Sequence, residues 1–315
     1  SLPSRGLGDV YKRQLLDNTT GSQNTAVGIS SLENNTTANN NTGLGYRALY
    51  LNTTGTQNTA VGRTSLDANT TGDNNTAVGV NALSENTTAD DNTAMGYESL
   101  FLNTTGASNT AVGRSALKAN TTGTENSAVG KCALAANTTA SYNTAVGFES
   151  LHDNTTGADN TAFGDSALHK NTTGACNVSV GSYSLLTNTT GASNTAIGRS
   201  ALQANTEGAS NVAMGRNSLT ANTTADFNVA VGSFSLAANT TGTLNTGLGQ
   251  QALAANTTAD NNTAVGSLSL LTNTVGFDNT AVGSEELKAN LGGDHHTAIG
   301  LSLIHISEPT RRKRI

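Results

Sequence analysis

A 17-residue unit opening Asn-Thr-Ala-Val-Gly begins at Asn24 and recurs through Asn279, sixteen times without an insertion or deletion, and a last fragment starts at His296. A fixed period overrides the two-domain expectation that a 315-residue chain would otherwise carry. The consensus is N-T-A-V-G-x-x-A-L-x-x-N-T-T-G-x-x, and its positions are numbered here as slots 1 to 17. Slot 5 is always Gly (Gly28 through Gly283), slot 9 always Leu (Leu32 through Leu287) and slot 12 always Asn (Asn35 through Asn290). Slots 6, 7, 10, 11, 16 and 17 accept almost any residue.

Seventeen residues are too few for a helical-hairpin repeat or a propeller blade. They suit one coil of an all-β parallel β-solenoid, a β-roll of about 17 coils in which each strand pairs with its copy 17 residues on. Thr-Ala-Val at slots 2–4 is a short strand of good β-propensity, and Gly at slot 5 permits a turn that a side chain would block. Asn-Thr-Thr-Gly at slots 12–15 reads as a turn in which Asn and Gly take positive φ. Stacking at about 4.8 Å per coil predicts a rod on the order of 80 Å long.

Alternation along the strand assigns directions. With the large slot-4 residue (Val27, Leu44, Met95, Phe163) expected inward, slot 3 faces outward, yet slot 3 holds only Ala, Gly or Ser. Slot 8 is equally small except at Glu286. Small residues on an outer face suggest a second chain packed against them, and hence a homotrimer joined through slots 3 and 8. The alternative is that tight turns within one coil exclude bulk there. A longer period also shows: slot 6 is Tyr46, Tyr97 and Phe148, 51 residues apart, which reads as duplication of a three-coil block.

Composition supports an ordered repeat with an unusual interior. Aromatics are 4% and charged residues 12%, too few bulky side chains for an ordinary globular core, but the strict apolar register argues against disorder. The ends read differently from the body. Ser4–Gln14 and Leu301–Arg311 can be encoded by DNA strands that are reverse complements over eleven codons, as expected of a sequencing adaptor translated at both ends. Residues 1–14 and 301–315 are therefore expected to be adaptor-derived and unstructured, with 15–300 the solenoid domain. Both prolines lie in those flanks, so the body's ladders meet no proline. Residues 15–300 hold nine basic and 20 acidic residues, a net charge of −11, which gives no reason to expect nucleic acid.

Asn-Thr-Ala-Val-Gly followed by Ala-Leu resembles the Asn-Ser-Val-Ala-Ile-Gly repeat of YadA-like heads in trimeric autotransporter adhesins. It is also similar to repeats in bacterial and phage fibre proteins. The resemblance spans 15–300 and implies a homotrimeric β-roll that is extracellular, on a bacterial surface or in a virion fibre. It implies host-surface, matrix or glycan ligands, with membrane contact only through domains outside this sequence. The longer unit and its added Asn-Thr-Thr-Gly depart from the head repeat. Two further readings remain open, a self-stacking filament subunit and an ice-binding solenoid using Thr and Asn ladders.

Nothing in the repeat resembles a catalytic site, and no cofactor is expected. His152 and His169 share slot 10 of neighbouring coils and are weak candidates for a metal. Asp73 and Asp90 share slot 16 with Asp91 beside them, an acidic group that could attract Ca²⁺, although the Gly-Gly-x-Gly-x-Asp pattern is missing. Cys132 (slot 7) and Cys176 (slot 17) are expected to be separate thiols, too far apart to bridge. The Asn-Thr-Thr triplets match a glycosylation sequon, but Asn in a structural turn slot makes the match coincidental.

Overall fold

Backbone hydrogen bonds between successive coils, in the strands and beyond them, hold the repeat together. The computed structural model describes residues 13–300, and the expectations for 1–12 and 301–315 lie outside the described residues. The chain divides into two units, Ser1–Ser193 and Asn194–Ile315. Within the first, three-residue strands run from β1 (Thr25–Val27) to β10 (Val178–Val180), one per coil. Within the second they run from β11 (Thr195–Ile197) to β17 (Thr297–Ile299). No helix occurs among the described residues.

Register is fixed at 17 residues in both units. In the first, Thr25, Ala26 and Val27 pair in parallel with Thr42, Gly43 and Leu44. In the second, Thr195, Ala196 and Ile197 pair with Val212, Ala213 and Met214. Beyond the strand, Leu49 N–H donates to the Ser65 carbonyl (3.1 Å), Thr53 N–H to Thr70 (3.0 Å) and Thr64 N–H to Tyr46 (2.8 Å). The ladder thus continues around the coil, so even residues outside strands satisfy their backbone groups.

The interior corrects the expected phase of the strand. Slot 3 points inward: Ala60, Ala111 and Ala145 are wholly buried. Slot 4 points outward: Leu44 is 44% exposed, Met95 44% and Phe163 42%. The reason is the width of the coil. Leu at slot 9 is wholly buried in coil after coil (Leu32 through Leu270) and fills the lumen. Slot 3 is a wholly buried Ala in most coils, and where it is Gly, at Gly43, even an added Cβ would lie 2.5 Å from Ser31 Oγ and 3.3 Å from Leu32 Cγ, so the strand's inner face takes a methyl group at most. Small residues at slots 3 and 8 therefore reflect packing within one coil, and the trimer contact expected through them is overturned.

Two asparagine columns complete the interior. At slot 12, Asn69 Nδ2 donates to Asn52 Oδ1 (2.8 Å) and to the Gly72 carbonyl (3.0 Å). At slot 1, Asn58 N–H donates to Asn41 Oδ1 (2.9 Å) while Asn58 Nδ2 donates to the Gly72 carbonyl (2.8 Å). Apart from the end members Asn24 and Asn290, both columns are wholly buried, and a buried amide is tolerated because its groups are paired.

The turn chemistry also differs from expectation. Positive φ falls at slots 5, 7, 9 and 17, as at Gly45 (140°), Arg47 (54°), Leu49 (53°) and Gln57 (59°), and not at the Asn and Gly of slots 12 and 15. A bulky residue in the left-handed region costs about 1–2 kcal/mol. Leu49 is held there by its buried side chain and by bonds from its N–H and to its carbonyl, the latter from Asn52 N–H at 3.3 Å. At slot 5 only Gly fits, because a Cβ on Gly113 would lie 2.5 Å from the Gly130 carbonyl oxygen at φ 132°.

Candidate functional site

With Leu, Ala and Asn turned inward, the variable chemistry of the chain stands on its outer faces. The strand presents slot 4 as a column of apolar side chains. Val, Leu, Met, Phe or Ile fills it in every coil, from Val27 (49% exposed) through Ile197 (39%) to Leu248 (37%). Slot 2, mostly Thr, flanks it on the same face. The chain bends at the slot-5 Gly, which sets slot 6 on the next side of the coil.

The sequence carries a signal for this column, although alternation alone does not give its direction. A slot that is always large and apolar is under a packing constraint, but its exposure places that constraint on the outer face and not in the lumen. Slot 16 was missed as well. Its side chains cap the preceding coil: Asn39 Oδ1 accepts from Ser22 N–H (2.7 Å), Asp226 Oδ1 from Ala209 N–H (2.6 Å) and Asp260 Oδ1 from Thr243 N–H (2.6 Å).

That cap gives the acidic candidates a structural occupation. Asp73 Oδ1 accepts from Thr56 N–H (2.6 Å) and Oγ1 (3.0 Å), and Asp90 Oδ1 accepts from Asp73 N–H (2.7 Å). Asp91, exposed at slot 17 with φ 59°, donates its N–H to the Asp73 carbonyl (3.1 Å). The three are neighbours, but two of the carboxylates face backbone donors.

His152 and His169 are brought together. Their rings stack with centroids 5.1 Å apart and planes 7° from parallel. His152 Nδ1 lies 2.6 Å from Asp153 Oδ1, and His169 Nε2 lies 3.3 Å from Glu149 Oε2. Each imidazole thus has its own carboxylate, and among the described residues no three His, Cys, Asp or Glu side chains group to hold a metal ion. Cys132 and Cys176 are free thiols. From Asn35 to Asn256 the slot-12 Asn of each Asn-Thr-Thr sequon is wholly buried with its amide bonded, as at Asn52, so a folded coil does not present it to a glycosylating enzyme.

Among the described residues three groups have displaced pKa values. Burial raises the Asp67 carboxyl, against the lowering effect of Arg47, whose Nη2 lies 3.1 Å away, and with a further rise from Glu85. Hydrogen bonds from Lys118 and Tyr97 lower the half-buried Glu98 carboxyl, and the Glu98 contact in turn raises the Tyr97 phenol. These shifts belong to ion pairs between coils on the outer surface.

Protein-family models give no match to this chain, and neither do curated proteins. No helix among the described residues is long and apolar enough to cross a membrane.

Proposed function

We propose that the chain is a structural or adhesive segment of an extracellular surface adhesin or fibre protein, a stiff solenoid assembled as a homotrimer. The observation that carries this reading is the slot-4 column. Of the ten slot-4 side chains in the first unit, Val27, Leu44, Met95, Val129 and Phe163 are exposed and the other five, all Val, are half-buried, so one apolar side chain from every coil lines a single outer face. Continuous apolar patches beyond a few hundred Å² mark interaction surfaces. The column is one large residue wide, with Thr beside it. Three such columns around a common axis enclose one another on every side, whereas two would leave their flanks wet.

Light scattering on the full chain tests the reading, with a trimer expected. Glu at slot 4 of three successive coils (V112E, V129E and V146E together) should yield folded monomers, and Glu at slot 7 (S115E and C132E) should leave the trimer intact. A folded wild-type monomer would overturn the assembly.

The ice-binding alternative is favoured by one observation, an exposed Thr column at slot 14 (Thr54, Thr71, Thr105, Thr122). The Asn ladders lie inside the coil and add nothing to such a face, and Phe163 and Met95 make the slot-4 face uneven. Thermal hysteresis without trimerisation would favour this second reading.

A further inference from the structure

Slot 6 carries a second column, on the side of the coil beyond the Gly bend. Over seven successive coils of the first unit it reads Tyr46, Arg63, Val80, Tyr97, Arg114, Lys131 and Phe148. All seven are exposed, and no acidic residue enters the column until Asp165. In a body whose net charge is −11, three cations and three rings have been gathered on one line. Arg114 Cζ lies 5.8 Å from the Tyr97 ring centroid, and Lys131 Nζ lies 5.2 Å from that of Phe148. The two cations, on adjacent coils about 4.8 Å apart, lean away from each other onto a ring at either end.

The cations are available to an outside anion. Among the described residues, Arg63, Arg114 and Lys131 form no ion pair. The neighbouring carboxylates are engaged: Glu98 with Lys118 Nζ at 2.7 Å, and Glu149 with His169 at 3.3 Å.

We infer that this column binds a linear anionic polysaccharide, a sulfated one being the best fit, laid along the stack of coils. Guanidinium and ammonium groups take its sulfates or carboxylates, and the rings pack against the C–H faces of its sugars. Ring spacing favours a sugar polymer over single-stranded nucleic acid. Tyr46, Tyr97 and Phe148 recur every third coil, about 14 Å apart, too far to stack successive bases as such strands require. The inference rests on the proposed surface location only for the presence of such a polymer, since the column stands whether or not the chain trimerises.

Binding of the full chain to immobilised dextran sulfate, neutral dextran and oligo-dT is the test. Wild type should bind dextran sulfate alone, with affinity falling as salt rises. Serine occupies slot 6 at Ser182, so R63S/R114S/K131S is compatible with the coil and should bind at least tenfold more weakly, with unfolding and oligomeric state unchanged. R63K/R114K/K131R should keep binding, and Y97S/F148S should weaken it about threefold without changing its salt dependence. Undiminished binding by the triple Ser variant overturns the inference, as does equal binding of neutral dextran or oligo-dT. A trimer that ignores dextran sulfate sinks this inference alone, and a monomer that binds it sinks only the trimer.

Discussion

Asn103 and Asn86, 17 residues apart and both wholly buried, are joined by a side-chain bond from Asn103 Nδ2 to Asn86 Oδ1 at 3.0 Å. The same Nδ2 donates to the Gly106 carbonyl at 2.9 Å, and Asn120 Nδ2 donates back to Asn103 Oδ1 at 2.8 Å. One amide thereby ties three coils, in a chain with little apolar interior to rely on. Asn103→Ala orphans two acceptors and a donor in the buried lumen and should cost about 3 kcal/mol, at 1–3 kcal/mol per unsatisfied group and some relaxation. Asn103→Asp should cost more, since a carboxylate cannot donate to Asn86. Denaturant unfolding of both variants decides, and a loss under 1 kcal/mol would remove the ladder from the stability argument.

The left-handed conformation of slot 9 separates shape from volume. Leu117 is wholly buried at φ 51°. Leu117→Met keeps volume and an unbranched Cβ and should cost about 1 kcal/mol. Leu117→Ile keeps volume but places a branched Cβ at positive φ, so it should cost about 2–3 kcal/mol. Equal unfolding midpoints for the two would show that the backbone relaxes freely.

Two glycines in adjacent turns should respond in opposite ways to alanine. Gly113 has φ 132°, and a Cβ there meets the Gly130 carbonyl carbon at 2.7 Å, so Gly113→Ala should cost more than 3 kcal/mol. A Cβ on Gly106 also crowds a neighbour, the Gly123 carbonyl oxygen, but its φ is ordinary. Ala89 and Ala140 already occupy the same slot, buried, so the backbone there can give. Gly106→Ala should change stability by less than about 1 kcal/mol. Thermal melts of the pair test the contrast.

Asp67 predicts a pH dependence. Burial raises its carboxyl in the folded state, so folding takes up a proton between the unfolded value, near 3.8, and the higher folded one. The stability it contributes is present below that window and is lost as pH rises through the folded value. Asp67→Asn should therefore gain stability relative to wild type on going from pH 3.5 to pH 7. Urea unfolding of both at the two pH values measures it, and a constant difference would show that Arg47 cancels the burial.

The period, the parallel register and the glycine-only bend at slot 5 were legible in the sequence, because they follow from repetition and from backbone sterics that no neighbour can alter. The Leu32 through Leu270 column was legible for the same reason, as each copy must meet its own kind one coil on, whereas slot-12 Asn reads in sequence as a turn residue and its buried ladder shows only in the closed coil. The direction of the strand was not legible. Period-two alternation permits two phases, with Val112 inside or Ala111 inside, and composition favours the first. Only the closed coil shows a lumen already filled by Leu117, with space for one methyl group from the strand. That decided which column stayed outside, and with it where the positive-φ residues had to fall. The slot-4 and slot-6 faces therefore became visible as surfaces only in three dimensions, since their meaning depends on the bend at Gly113 and not on any residue within them.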